Sequence, residues 1–488
     1  GNNEIIEDHN GVLSLNASPA STHDGAIRTL NEDLLPAMKE VGDKFGSGEL
    51  ILPFVLKSAE CMKAAVGELE KYLVKEEGSS KGKLVLGTVY GDVHDIGKNL
   101  VKTIFQNNGY TVYDLGKQVP LQKFLEKIDE VKPDALGLSA LLVSTSKQMQ
   151  YFVEHARKNN MSIPILCGGA AINTNYINRI AKEGGIYESG VFYCNTMFEG
   201  LKTMDALVSN EKPKFLAQWK ERLENWKERS TAVIDTLNLP KSDIKPVVPP
   251  TPPIIGEPIR LKSDQIRMDE VWNLIDKKSL FKLSWGLRGK AGAESEADHE
   301  RLLNEWKIRI IREKLFEPEI VYGFFKCHNK DGKLKVDNPN GESVEFDFPR
   351  SSKSSHLCLT DYFGEDDIVA FQAVTVGNKV SDVIEKWNKE DKYADAYYLH
   401  GLAVEVAEAL AEWINRKIKS ELKLGDKGGL RYSWGFPSCP DVLQHNLVWK
   451  ILQPEKSGMT LTESGQIIPE QSTAAIVVHH PESQYFVL

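Results

Sequence analysis

The residues best suited to chemistry lie in one short stretch, Gly91-Asp92-Val93-His94-Asp95-Ile96-Gly97-Lys98-Asn99, with the core pattern D-x-H-x-x-G. A carboxylate two residues before an imidazole can accept a proton bond from one ring nitrogen. That fixes the tautomer and leaves the other nitrogen as a metal ligand of raised basicity. Gly97 removes a side chain where the backbone must let something large pass. Taken alone, D-x-H on a loop is also compatible with a histidine capping the next helix, with Asp92 and Asp95 as ordinary turn residues. Two later features narrow the choice. Ser139-Ala140-Leu141 ends an apolar run about 41 residues beyond Gly97, and Gly168-Gly169 ends the next, about 26 residues beyond Leu141. Together they describe a slot with a polar wall (Ser139), a bare floor (Gly168, Gly169) and His94 at its mouth.

The elements that must position these residues alternate. Short apolar runs over 83–90, 111–115, 135–142, 163–167 and 190–194 read as strands. Helical patterns cover 98–108, 121–131, 146–158 and 173–183. Such alternation implies a parallel sheet with helices on both faces, and five strands suit the flavodoxin-like order. Ligands bind open sheets of this kind at the C-terminal strand ends, where D-x-H-x-x-G sits.

Before this region, residues 1–21 read as a polar tail. Two amphipathic helices over 24–45 (Leu30, Leu34, Met38, Val41) and 50–75 (Val55, Ala59, Met62, Leu69) form a small cap. After it, a helix over 213–229 leads into 239–258, which holds seven of the 22 prolines and reads as an extended linker. The remainder is mixed α+β, with helices over 267–281, 299–314 and 394–422 and strands over 319–325, 368–376 and 474–480. The fold class is therefore α/β multidomain. Its parts are a tail (1–21), a helical cap (22–80), a flavodoxin-like five-stranded parallel sheet domain (81–212), a helix with Pro-rich linker (213–258) and a mixed α+β domain (259–488).

Composition limits the function classes. The 488 residues are 41% hydrophobic with a net charge of −9, which supports packed domains and argues against nucleic acid as a partner. No apolar run approaches the ~18 residues of a membrane span. The six cysteines form no C-x-x-C pair, so neither a structural zinc site nor a disulfide framework is expected. The first residues lack the basic start and apolar stretch of a signal peptide, and a cytoplasmic location is the expectation.

The spacing D-x-H-x-x-G, S-x-L, G-G resembles the cobalamin-binding domain of methionine synthases and corrinoid-dependent mutases. The resemblance implies cobalamin (methylcobalamin) as cofactor, with His94 as the metal ligand replacing the cofactor's own benzimidazole. Asp92 is then its hydrogen-bond partner, Thr145 extends the relay and Ser139 contacts the buried base. Gly91, Val93, Asp95, Gly97, Leu141, Val143, Gly168, Gly169 and Thr196 would surround the cofactor. Val143 stands where methionine synthases commonly carry Thr. Residues 41–53 look like the cap of the methyltransferase branch, which implies that Phe45, Leu52 and Val55 cover the upper face.

Residues 259–488 are similar to the activation domain of cobalamin-dependent methionine synthase, which binds S-adenosylmethionine. The segment Arg431-Tyr432-Ser433-Trp434-Gly435-Phe436-Pro437-Ser438-Cys439-Pro440 looks like the family's R-x-x-x-G-Y-P-A-C-P, with Phe436 in place of Tyr. Leu461-Thr462-Glu463-Ser464 and residues 469–481 also match. The likeness implies that Arg431 binds the methionyl carboxylate, Asp276 accepts from the α-amino group and Glu408 adds a polar contact. Tyr485 and Phe486 would flank the adenosyl group. The implied function is the cobalamin-binding and reactivation part of a methyltransferase. It carries methyl from methyltetrahydrofolate to homocysteine and is remethylated by S-adenosylmethionine, with a flavodoxin-type electron donor. The homocysteine and methyltetrahydrofolate modules, and zinc with them, are expected outside this chain. The rival is a non-catalytic corrinoid methyl carrier serving separate methyltransferases; a mutase subunit is disfavoured because no barrel is present.

Overall fold

A computed structural model describes residues 23–46, 50, 52–69, 71–72, 80–227, 239–287, 296–338, 340–353, 355–425 and 428–488. The expected tail and positions 47–49 and 51 of the expected cap stretch lie outside the described residues, as do the side chains of Phe45 and Val143.

The anticipated first helix is interrupted. It consists of α1 (His23–Arg28), a π turn (Thr29–Leu34) and α2 (Leu35–Gly46). Of its apolar stripe only Met38 is buried. Helix α3 (Leu52–Leu69) buries Val55, Leu56, Ala59, Met62 and Leu69.

The middle region follows the strand–helix alternation: β1 (Lys83–Thr88), α4 (Ile96–Asn107), β2 (Thr111–Asp114), α5 (Leu121–Val131), β3 (Ala135–Ser139), α6 (Val143–Lys158), β4 (Ile165–Gly168), α7 (Thr174–Lys182) and β5 (Val191–Tyr193). The strands form one parallel sheet in the order β2-β1-β3-β4-β5. Register brings the strand ends level, since Thr88 pairs with Ser139 and Ser139 with Gly168. The three sequence features thus meet at one sheet edge.

Two helices complete this unit, α8 (Met197–Val208) and α9 (Lys212–Asn225). Helix α8 was not anticipated, although Thr196 marks its start by accepting from Glu199 N at 3.1 Å. Helix α9 packs on the sheet. Phe215 and Trp219 lie 5.3 and 5.4 Å from Phe192 between ring centroids.

The Pro-rich stretch forms no helix and lies against the C-terminal domain. Ser242 Oγ donates to Asp361 Oδ2 at 2.7 Å, and His480 Nε2 donates to the Lys245 carbonyl at 3.0 Å. Asp361 is held in turn by a buried pair with Arg350.

The C-terminal domain contains β6 (Ile259–Leu261), α10 (Met268–Trp272), α11 (Lys277–Ser279), α12 (Glu296–Glu313), β7 (Glu319–Lys330), β8 (Lys333–Asp337), β9 (Ser343–Phe346), β10 (Asp367–Thr375), α13 (Lys379–Lys389), α14 (Tyr393–Glu421), β11 (Leu430–Ser433), α15 (His445–Leu452), β12 (Thr460–Leu461), β13 (Ile467–Ile468) and β14 (Ser472–Val478). Its antiparallel sheet runs β11-β14-β10-β7-β8-β9, with β6 added on β7. Strand β10 is buried throughout, so it reads as an unbroken apolar run. Helix α14 spans 29 residues and supplies the largest share of one core, from Leu399 and Leu402 to Ile414 and Ile418.

The three units touch directly. Leu56 of the cap packs with Leu100, Tyr393 and Ala394. Glu60 Oε1 accepts from Ala394 N at 2.8 Å, and Lys63 Nζ pairs with Asp391 Oδ1 at 2.5 Å. No helix among the described residues is long and apolar enough to cross a membrane.

Candidate functional site

The turn after β1 is built around one carboxylate. Asp92 is fully buried. Its Oδ1 takes the His94 ring Nδ1 at 2.9 Å and the His94 backbone N–H at 3.1 Å. Its Oδ2 takes Leu141 N–H at 2.7 Å and Thr145 Oγ1 at 2.7 Å. Asp92 therefore ties the end of β1 to the start of α6, two segments far apart in sequence. Burial would raise its pKa, but the bonds from His94, Thr145 and Leu141 hold it down at about 2.

His94 is the counterpart. Burial would lower its pKa, yet the bond to Asp92 and the charges of Glu470, Asp92 and Asp95 raise it above the ordinary imidazole value. With Nδ1 engaged, Nε2 faces Glu470 Oε1 at 3.8 Å, beyond hydrogen-bond length. The same carboxylate oxygen lies 3.7 Å from His400 Nε2. Buried Thr88 donates to the His94 carbonyl at 3.0 Å and fixes the rise of the turn.

Of the other expected cofactor residues, Ser139 and Gly168 lie at the neighbouring strand ends. Ser139 ends β3 and Gly168 ends β4. Gly169 has φ +126°, and a Cβ there would lie 1.9 Å from the Ala140 carbonyl oxygen, so only glycine fits. A Cβ at Gly97 would meet nothing of the protein within 4 Å, which leaves open space over the start of α4. Asp95 precedes α4 but its side chain makes no cap bond. Leu141 is 37% exposed beside Asp92. Of the expected cap residues, Val55 is fully buried and Leu52 packs in the cluster with Leu100, Tyr393 and Tyr397. A cavity of about 620 Å3 opens beside the turn, lined by Val93, Asp95, Lys98, Asn99, His400 and Glu470 among others.

A second group lies within the C-terminal domain, on β11, α14 and the chain's last residues. Arg431 on β11 meets Glu408 of α14 at 2.6 Å. Tyr485 is 67% exposed, with its ring 5.3 Å from that of Tyr432. Phe486 packs toward the sheet core, and its carbonyl accepts from Ser438 Oγ at 2.8 Å. Asp276 is exposed and caps α11, accepting from Lys278 N and Ser279 N at 3.0 and 3.1 Å. Thus Arg431 and Glu408 are in contact, whereas Asp276 is engaged elsewhere by one oxygen. Phe436 protrudes at 59% exposure. Burial pushes the nearby Cys439 thiol up to about 12, which keeps it protonated.

Sequence reasoning named no role for Thr88, His400, Gln466 or Glu470. Glu470 lay inside the segment 469–481 that carried the family likeness, but nothing local shows that it reaches a turn almost 380 residues earlier.

Comparison with known proteins matches three stretches of the chain, one of them beginning within the expected tail. Residues 267–488 match the activation domain of vitamin B12 dependent methionine synthase, and residues 82–201 and 6–70 match two B12 binding domain families. The methionine synthase of Mycobacterium tuberculosis (strain ATCC 25618 / H37Rv) is 34% identical over 544 residues, covering 99% of this chain and 45% of that protein. That of Mycobacterium leprae (strain TN) is 33% identical over 552 residues, with the same coverage. The chain thus spans about half the length of the curated relatives it matches. A solved MetH reactivation domain bound to AdoHcy aligns with 49% of this chain and 83% of its own, at 21% identity and a TM-score of 0.42.

Proposed function

We propose, for a chain whose matched regions belong to the B12-binding and methionine synthase activation-domain families, that it is the cobalamin-binding and reactivation part of a methionine synthase. The residues fit that cofactor. Nδ1 of His94 is held by Asp92, so Nε2 presents a lone pair. One imidazole would suit a metal whose remaining donors the cofactor itself supplies. The open space over Gly97 leaves room for a large ligand at the sheet edge.

On this reading His94 Nε2 is the cobalt ligand, Asp92 fixes its tautomer, and Thr145 holds Asp92. Ser139, Gly168, Gly169 and Thr196 line the slot for the cofactor's nucleotide arm. When bound, cobalamin supplies a metal that accepts and donates a methyl group. Arg431 and Glu408 would hold the methionyl end of S-adenosylmethionine, since a guanidinium grips a carboxylate through two parallel bonds. Asp276, with one oxygen engaged in its cap, would accept from the amino group, and Tyr485 would flank the adenosine. Methyltetrahydrofolate, homocysteine, their modules with zinc, and a flavodoxin-type electron donor are the proposed partners. Domain limits at 22–80, 81–212, 213–258 and 259–488 go with this reading.

The observation that carries it is the buried Asp92, joining His94 to Leu141 and Thr145 across two strand ends. Titrating the chain with cobalamin by absorption spectroscopy tests it. The expected outcome is a spectral change on binding that His94→Gly abolishes or alters. Unchanged spectra with both proteins would refute the ligand assignment. Calorimetric titration with S-adenosylmethionine separates an activation domain, which binds, from a bare carrier, which does not.

A further inference from the structure

The proposed methionyl site draws on two places in the sequence that the fold has to bring together. Arg431 and Glu408 meet across β11 and α14, whereas Asp276 stands at the start of α11. A buried residue outside every motif joins them. Glu405 lies three positions before Glu408 on α14, so the two carboxylates share one face of the helix. Glu408 is half-buried, and Glu405 is only 8% exposed. One oxygen of Glu405, Oε1, accepts the Ser279 hydroxyl at 2.7 Å and the Ser284 hydroxyl at 2.8 Å. The Ser279 backbone N–H donates in turn to Asp276 Oδ1 at 3.1 Å. Ser279 thus touches both carboxylates, and the path Asp276–Ser279–Glu405 ends about one helical turn from Glu408.

A close approach of the backbone makes these contacts possible. The π turn Leu280–Ser284 and Trp285 press on α14 at Gly401. A Cβ there would lie 2.9 Å from the Trp285 ring and 3.2 Å from the Ser284 carbonyl oxygen, so a side chain would push the turn away. Trp285 is fully buried, and its indole N–H donates to the Tyr398 carbonyl at 2.9 Å. Gly401 is four residues before Glu405, on the same helix face. The pressed turn therefore brings the Ser284 hydroxyl within reach of that carboxylate. Hydroxyl bonds to a carboxylate are stronger than those between neutral groups, and losing a buried acceptor leaves its donors unmatched.

We propose that Glu405 is a positioning residue for the methionyl amino group of S-adenosylmethionine. It fixes Ser279 and Ser284, Ser279 fixes Asp276, and Asp276 is thereby held at the same stretch of α14 as Glu408. The role of Asp276 toward the amino group rests on the functional reading above; the clamp on α11 does not.

Site-resolved hydrogen exchange and calorimetric titration on the full chain test this. Glu405→Ala removes the acceptor; Glu405→Gln keeps the size and one acceptor oxygen. In Glu405→Ala the Lys278 and Ser279 amides, both bonded to Asp276, should exchange at least about tenfold faster, while amides of β7 and β10 keep their rates. S-adenosylmethionine should bind about tenfold more weakly. In an Asp276→Ala background the same change should weaken binding no further, because Glu405 acts through Asp276. Glu405→Gln should restore both readouts to within about threefold of the unmodified chain. Unchanged Ser279 exchange in Glu405→Ala, additive losses in the double variant, or a Gln variant as weak as the Ala variant would each overturn the proposal. If Glu405→Ala also loosens β10, Ser279→Ala decides. Weaker S-adenosylmethionine binding that vanishes in the Asp276→Ala background supports the clamp, and unchanged binding refutes it. Failure of the unmodified chain to bind S-adenosylmethionine would sink the functional reading and leave the exchange result to decide the clamp.

Discussion

Replacing Asp92 by Asn removes one charge from the centre of the turn while keeping its size. The carboxylate is fully buried and accepts four bonds between 2.7 and 3.1 Å. In the folded chain its pKa is about 2, against 3.8 for the free group. A depressed acid stabilises the fold fully above its unfolded value, and that contribution is lost as pH falls from about 4 toward 2. At ~1.4 kcal/mol per pH unit, the difference corresponds to about 2–3 kcal/mol. Asn cannot replace it, because its NH2 must face either the His94 donors or the Leu141 N–H. A buried donor set against a donor costs a similar amount. In Asp92→Asn the amides of β1 and β3 should therefore exchange roughly 30- to 150-fold faster at neutral pH, with less acid dependence between pH 4 and 2. His94, now raised by Asp92, should also titrate lower by NMR. Its raised pKa adds stability below the ordinary imidazole value that is lost as pH rises through the folded one, and the variant should lose that too. Wild-type exchange rates together with an unmoved His94 titration would refute this reasoning.

Three further outcomes follow from other parts of the structure. Gly169→Ala puts a Cβ 1.9 Å from the Ala140 carbonyl oxygen, and backbone must move to relieve it. The cost should exceed about 2 kcal/mol, seen as a lower thermal midpoint. Arg350→Ala leaves Asp361 buried with only Ser242 as a side-chain partner. It should destabilise by about 3–5 kcal/mol and speed proteolytic cutting within 239–258. Arg431→Lys keeps the charge but loses the planar fork, so calorimetry should find S-adenosylmethionine bound about tenfold more weakly.

The parallel sheet was legible because each buried strand is a short apolar run and each helix between them has a clear amphipathic period. Even the strand ends could be matched, which is why His94, Ser139 and Gly168 were expected together. Helix α8 escaped because its apolar residues follow β5 closely and look like its continuation. Strands β8, β9 and β11 are four or five residues long, too short for alternation to stand out. The link from Asp92 to Thr145 followed from family likeness and not from spacing. The approach of Glu470 and Gln466 to the turn depends on how two domains meet, and no local pattern encodes that. The Pro-rich stretch was rightly free of helix, but its anchoring through Ser242 and Lys245 depends on Asp361 and His480, far along the chain.

The central claim concerns one nitrogen atom. The chain can be grown with 15N-labelled histidine, loaded with cobalamin in its divalent cobalt form, and examined by electron paramagnetic resonance. A ligating 15N nucleus splits each cobalt line in two, whereas the cofactor's own 14N base splits it in three. Pairs of lines that disappear in His94→Gly are the expected result. Triplets that persist in the labelled protein would contradict the assignment of His94.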